Sequence, residues 1–78
     1  MAMQGSLARL PLGTPAIVIQ MGCRKELAHR LRDFGLVPGT KVVPNYRSPG
    51  GGVTALEFRG VVIALRTQDL KGVRVQWQ

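Results

Sequence analysis

The side chains in this chain that could do chemistry are few, and their spacing suits cation binding better than bond making. Cys23, His29 and Asp33 are the donors of metal-ligating type that fall close together. His29 and Asp33 stand four residues apart, so on a helix they share a face and can reach one cation, with Cys23 just ahead of it. The same three residues also read as ordinary structure, a surface histidine near an aspartate and a small packed cysteine. Other chemistries lack their parts. His29 is the sole histidine, and no third group orients it toward Cys23 or a serine, so no nucleophile-base pair is expected. Glu26, Asp33, Glu57 and Asp69 are too scattered for paired-carboxylate work. Gly50-Gly51-Gly52 lacks the Lys-Ser/Thr that follows a phosphate-cradling loop and the spaced third glycine of a dinucleotide fingerprint. No catalytic residue is expected, and the chain reads as a non-enzyme.

The element that must carry His29 and Asp33 is a helix from about Arg24 to Phe34. Leu27, Ala28, Leu31 and Phe34 form its apolar face, and Glu26, His29, Arg30, Arg32 and Asp33 the polar one. Packing of Leu27, Leu31 and Phe34 is expected to decide its stability. Gly35 fits the left-handed position after the last helical residue, which brings Leu36 against Leu31 in a Schellman closure. Val37-Pro38-Gly39-Thr40 then predicts a type II turn, with Gly39 taking the positive φ.

Around this unit the pattern predicts five short strands. Residues 15–21 form the first, with Ile17, Ile19 and Met21 on one face. Residues 40–48 form the second, irregular because Pro44 cannot donate to a ladder. Residues 53–58 place Thr54, Leu56 and Phe58 together, and Arg59-Gly60 joins them to residues 61–65, with the turn left open between type I′ and type II. Ser6 caps a turn through Leu10, and residues 67–70 read as a second capped helical turn. Val73, Val75 and Trp77 alternate with Arg74 and Gln76 in the last strand. Ser48 to Gly52 has the composition of a flexible connection, and the most mobile loop is expected there.

The whole chain, 78 residues, reads as one domain of 1–78 with a modest core. One cysteine excludes an intramolecular disulfide. The longest apolar runs fall well short of the roughly 18 residues of a membrane span, and no signal segment is evident, so a cytoplasmic protein is expected. A net charge of +7 admits nucleic acid as a partner. The basic residues are spread over every element, however, and only Tyr46 and Trp77 look free to stack on bases. Binding of RNA or single-stranded nucleic acid is the second hypothesis.

Gly35, Leu36, Pro38 and Gly39, followed by Gly60, Ala64, Leu65 and Arg66, resemble the turn and strand motifs of the FeoA family. That resemblance covers most of the chain, and its motifs are turn glycines and core apolar positions that specify shape. It implies a mainly β, five-stranded SH3-like barrel with one inserted helix. It also implies a non-catalytic accessory of bacterial ferrous iron uptake that binds the cytosolic part of the FeoB transporter and is recruited to the inner membrane through it. No cofactor is required on this reading, though Fe2+ or Zn2+ could bind weakly at Cys23, His29 and Asp33. The partner surface is expected on Lys25, His29, Arg30 and Arg32, with Pro49, Gly50 and Gly51 nearby. Gly35, Pro38, Gly39 and Gly60 are expected to be structural. The domain also resembles the C-terminal SH3-like module of DtxR-type metal-dependent repressors, but no helix-turn-helix segment is present.

Overall fold

The strands of the computed structural model, which describes residues 2–78, are set partly by alternation and partly by the neighbours they pair with. Six antiparallel strands, β1 (Met3–Ser6), β2 (Ala16–Met21), β3 (Lys41–Arg47), β4 (Val53–Phe58), β5 (Val61–Arg66) and β6 (Val73–Trp77), pair in the order β1-β6-β2-β3-β4-β5. One helix, α1 (Lys25–Asp33), leaves between β2 and β3. Short 3-10 turns at Leu7–Arg9 and Thr67–Leu70 precede β2 and β6 and pack on each other. The fold is therefore mainly β with one helix, but with six strands where five were expected.

The additional strand is β1. Met-Gln-Gly-Ser has little strand propensity, and it forms because its backbone pairs with β6 from Met3↔Trp77 to Ser6↔Arg74. Gly5 leaves room for the Trp77 ring, whose Cη2 would stand 3.2 Å from an added Cβ. The inward face of β2 carries Ala16 and Val18, while Ile17 and Ile19 are exposed. Both faces of this strand are apolar, so alternation could not choose between them. Register with β6 chooses, because Val18 lies opposite Val75 on a strand whose other face holds Arg74 and Gln76. A bulge follows between Val18 and Gln20.

Leu7, Leu10, Val18, Leu31, Leu36, Val42, Leu56, Phe58, Leu70, Val73 and Val75 fill the core, each fully or almost fully buried. Burying one such side chain contributes about 2 kcal/mol. Phe34 does not belong to it: it is 52% exposed at the helix C-cap, and Leu36 occupies the core instead. Thr54, Leu56 and Phe58 point inward together as expected. Pro44 disrupts β3 where predicted, with a register shift before Tyr46.

β1 and β5, the ends of the sheet, do not pair. Polar contacts tie the structure together near the 3-10 turns. Arg47 Nη2 donates to the carbonyls of Ala8 at 3.1 Å and Leu10 at 2.8 Å, and its Nε donates to Thr54 Oγ1 at 3.3 Å. Ser6 Oγ accepts from Ala8 N–H, capping the first turn as predicted, and donates to Lys71 O at 3.0 Å. The second turn, expected to be capped, has no side-chain cap, and Thr67 shares a hydrogen bond with Thr54 at 2.8 Å. Gly22 and Gly72 meet backbone to backbone: Gly22 N–H donates to Gly72 O at 2.8 Å, and a Cβ on Gly72 would stand 2.2 Å from Gly22 O.

Candidate functional site

The α1 unit is built by local rules. Leu36 N–H donates to Leu31 O and Gly35 N–H to Arg32 O, both at 2.9 Å, which is the paired closure of a Schellman motif. Gly35 has φ +99°, a conformation that costs other residues about 1–2 kcal/mol. Thr40 N–H donates to Val37 O at 3.0 Å, closing the turn with Gly39 at φ +96°. The Thr40 hydroxyl then donates to Gly35 O at 2.9 Å and accepts from Val37 N–H at 3.2 Å, locking cap and turn into one piece. Arg59 reaches the same Gly35 carbonyl from the β4–β5 hairpin at 3.2 Å. Arg59 and Gly60 both have positive φ, at 52° and 78°, which decides that hairpin turn for type I′.

Between this piece and the end of β2 lies an open groove of about 210 Å³. Met21, Ala28, Leu36, Val37 and Pro38 give it an apolar floor, and Lys25, His29 and Arg32 form a basic rim. Arg32 Nη2 contacts His29 Nδ1, which holds the two side chains on the same side. Of the residues expected to contact a partner, Lys25, His29 and Arg32 thus meet around one groove, while Arg30 is exposed outside it. Gly50 and Gly51 line a different groove with Gly52, Arg66, Thr67, Gln68 and Lys71, and Pro49 is exposed beside it. The glycine tract forms a tight turn in which Gly51 N–H donates to Ser48 O at 2.7 Å and Gly52 O accepts from Thr67 N–H at 3.0 Å.

The sequence assigns Leu36 to the helix cap against Leu31 and Pro38 to the turn, and leaves Met21 and Val37 without a groove role. The available signal was Val37, an apolar residue where Pro38-Gly39 alone would have made the turn. Among the described residues no three His, Cys, Asp or Glu side chains gather closely enough to hold a metal ion. Cys23 packs partly into the core, and burial pushes its thiol above the usual range, so a metal would have to displace a firmly held proton. Of the two aromatics considered for stacking, Tyr46 is exposed and Trp77 is half-buried over Gly5.

A family model described as the FeoA domain matches residues 5–76. The chain belongs to the FeoA family. Three solved structures show how far that likeness extends. FeoA from Chlorobium tepidum is 26% identical, with TM-score 0.88 over 92% of this chain and 69% of its own. The zinc complex of Stenotrophomonas maltophilia FeoA is 31% identical, with TM-score 0.79 over 94% of this chain and 95% of its own. That relative is described as a prokaryotic SH3 domain protein, and the six-stranded arrangement found here is accordingly SH3-like. A manganese-dependent transcriptional repressor, 10% identical, shares the fold at TM-score 0.85 over all of this chain and 44% of its own. No curated protein sequence matches this chain. No helix among its described residues is long and apolar enough to cross a membrane.

Proposed function

We propose that this FeoA protein is a non-catalytic accessory of bacterial ferrous iron uptake, acting at the cytosolic face of the membrane by binding the cytosolic part of the FeoB transporter. Family membership supports the setting, as does the Stenotrophomonas maltophilia relative, itself proposed to be a ferrous iron transport activating factor. The observation that carries the mode of action is the α1 groove, an apolar floor open to solvent inside a rim of Lys25, His29 and Arg32. A basic rim speeds encounter with an acidic partner and favours a position near anionic headgroups, while the floor supplies burial once contact is made. The test is capture of the purified cytosolic region of FeoB by wild-type protein and by the double variant Arg30→Glu, Arg32→Glu. Loss of capture with an unchanged circular dichroism spectrum is expected, and full retention moves the interface elsewhere.

Because Cys23, His29 and Asp33 do not gather, weak binding of Fe2+ or Zn2+ is proposed, as a secondary element, only for the i, i+4 pair His29 and Asp33 on α1 without Cys23. Titration with either ion should weaken in His29→Ala and Asp33→Ala. Unchanged affinity in both variants excludes the site.

A further inference from the structure

β5 is the last strand of the sheet, and its second edge faces no other strand. Which backbone groups lie on that edge follows from its pairing with β4. The two-residue type I′ hairpin makes Phe58 and Val61 a hydrogen-bonded pair, and alternation assigns the same status to Leu56–Ile63 and Thr54–Leu65. The bond from Thr67 N–H to Gly52 O continues that series. Val62, Ala64 and Arg66 therefore turn their N–H and C=O groups away from β4. Among the described residues, no backbone or side-chain group bonds them on that side.

Proteins ordinarily blunt such an edge with lysine, proline, a bulge or a covering element. Val61-Val62-Ile63-Ala64-Leu65 has none of the first three: it is uncharged, lacks proline, and pairs with β4 without a register shift. On its outer face Val62 and Ala64 are apolar as well, with Glu57 beside Val62 and Arg66 at the far end. Val62 is 61% exposed, and across the strands Ala64 lies beside Ala55 and Ala55 beside Tyr46, itself 54% exposed. The two alanines leave a shallow step in front of the tyrosine, which a large side chain opposite Ala64 would fill. Ile63 and Leu65 on the inner face are only half-buried. Arg59 and Arg66 flank the strand: Arg59 Nε is bonded to Gly35 O, and Arg66 Nε stands 3.5 Å from Asp69 Oδ2 while its exposed Nη groups make no other polar contact among the described residues, in a chain that carries +7.

We infer that the free edge of β5 is a binding site for an extended, acidic-ended peptide segment of a partner protein, which adds to the sheet as a seventh, antiparallel strand. Backbone bonds to Val62, Ala64 and Arg66 supply its affinity. A bulky apolar residue opposite Ala64 sets its register, and a carboxylate meets Arg66. A second copy of this chain fits less well, because its own β5 brings Arg66 and no carboxylate. This site is separate from the α1 groove and does not depend on the partner proposed there.

The test uses the full chain, labelled with ¹⁵N, and the end-capped probe Glu-Glu-Val-Leu-Val-Thr-Glu-Glu. Hydrogen exchange read by NMR should slow at least roughly tenfold at the amides of Val62, Ala64 and Arg66 when the probe is saturating, with those of Ile63 and Leu65 little changed. The variant Ala64→Lys, which guards the edge without removing a β4–β5 bond, should weaken the probe at least roughly tenfold while keeping the wild-type spectrum. Arg30→Glu, Arg32→Glu should bind it as the wild type does, so failure of the groove reading leaves this one standing. The inference is overturned if the probe does not bind at millimolar concentration, or if it binds without slowing those three amides. It is also overturned if they slow on concentrating the protein alone, which identifies the occupant as a second copy.

Discussion

The groove beside α1 and the free edge of β5 offer a partner opposite things. In the groove, recognition rests on side chains, with Lys25, His29 and Arg32 around Met21, Leu36, Val37 and Pro38. At the edge it rests on the backbone of Val62, Ala64 and Arg66, with side chains setting only register. A side-chain surface can be erased by changing charges and leaves the fold alone. A backbone surface survives most substitutions and yields only to a guard residue on the edge. The two contacts proposed for this small domain are therefore of kinds that mutation can separate.

The largest expected effect comes from Leu36→Ala, which empties a fully buried position under the groove floor. It should cost about 3 kcal/mol and lower Tm by roughly 15 °C in a thermal melt. In the fraction still folded at low temperature, partner capture should suffer and the edge probe should bind unchanged. Next comes the charge reversal Arg30→Glu, Arg32→Glu. A loss of partner affinity of about 30-fold, or about 2 kcal/mol, is expected by titration calorimetry with stability nearly constant. Equal weakening of the edge probe would break the comparison, since the two surfaces would then be one.

Gly35→Ala should be milder, about 1.5 kcal/mol in a denaturant titration. It forces an alanine to φ +99° and sets its Cβ 2.7 Å from Arg59 Cδ, a flexible side chain that can move aside. Because Arg59 also bonds the Gly35 carbonyl, that movement tests whether the helix cap draws support from the β4–β5 hairpin. Smallest is Ala64→Lys, expected to change stability by less than about 0.5 kcal/mol because Ala64 is exposed and its free-edge N–H bonds nothing. A loss of several kcal/mol there would mean the fold itself needs that edge.

The same division explains what could be read from sequence. The α1 unit was legible nearly to the residue, because a helix, its glycine cap and a Pro-Gly turn are decided by neighbours within four positions. The error within it, Phe34, arose where the chain leaves helical periodicity: the cap rotates the next core position onto Leu36. In the sheet, Thr54, Leu56 and Phe58 were legible because Glu57 marks the other face of their strand and the two large side chains share one face. β2 was not, because Ile17 and Ile19 are as apolar as Ala16 and Val18 and only the long-range register with β6 decides. β1 left no pattern at all, since Gly5 contributes an absence that Trp77 fills. Likewise the groove was half visible, its rim through charge spacing, its floor only after the turn had folded back on Met21.

The chain departs from the sheet at Gly22, pinned to Gly72, and returns at Gly39, whose N–H donates to Val18 O at 2.7 Å while Val18 N–H donates to Thr40 O at 3.0 Å. Entry and exit are thus fastened to the sheet by main-chain bonds, while Leu27, Leu31 and Leu36 seat the segment between them in the core. The intervening segment behaves as a cassette with a fixed underside: a helix and cap of similar span that keep Leu27, Leu31 and Leu36 could carry a different outer face, changing what the domain greets without rewriting the scaffold beneath.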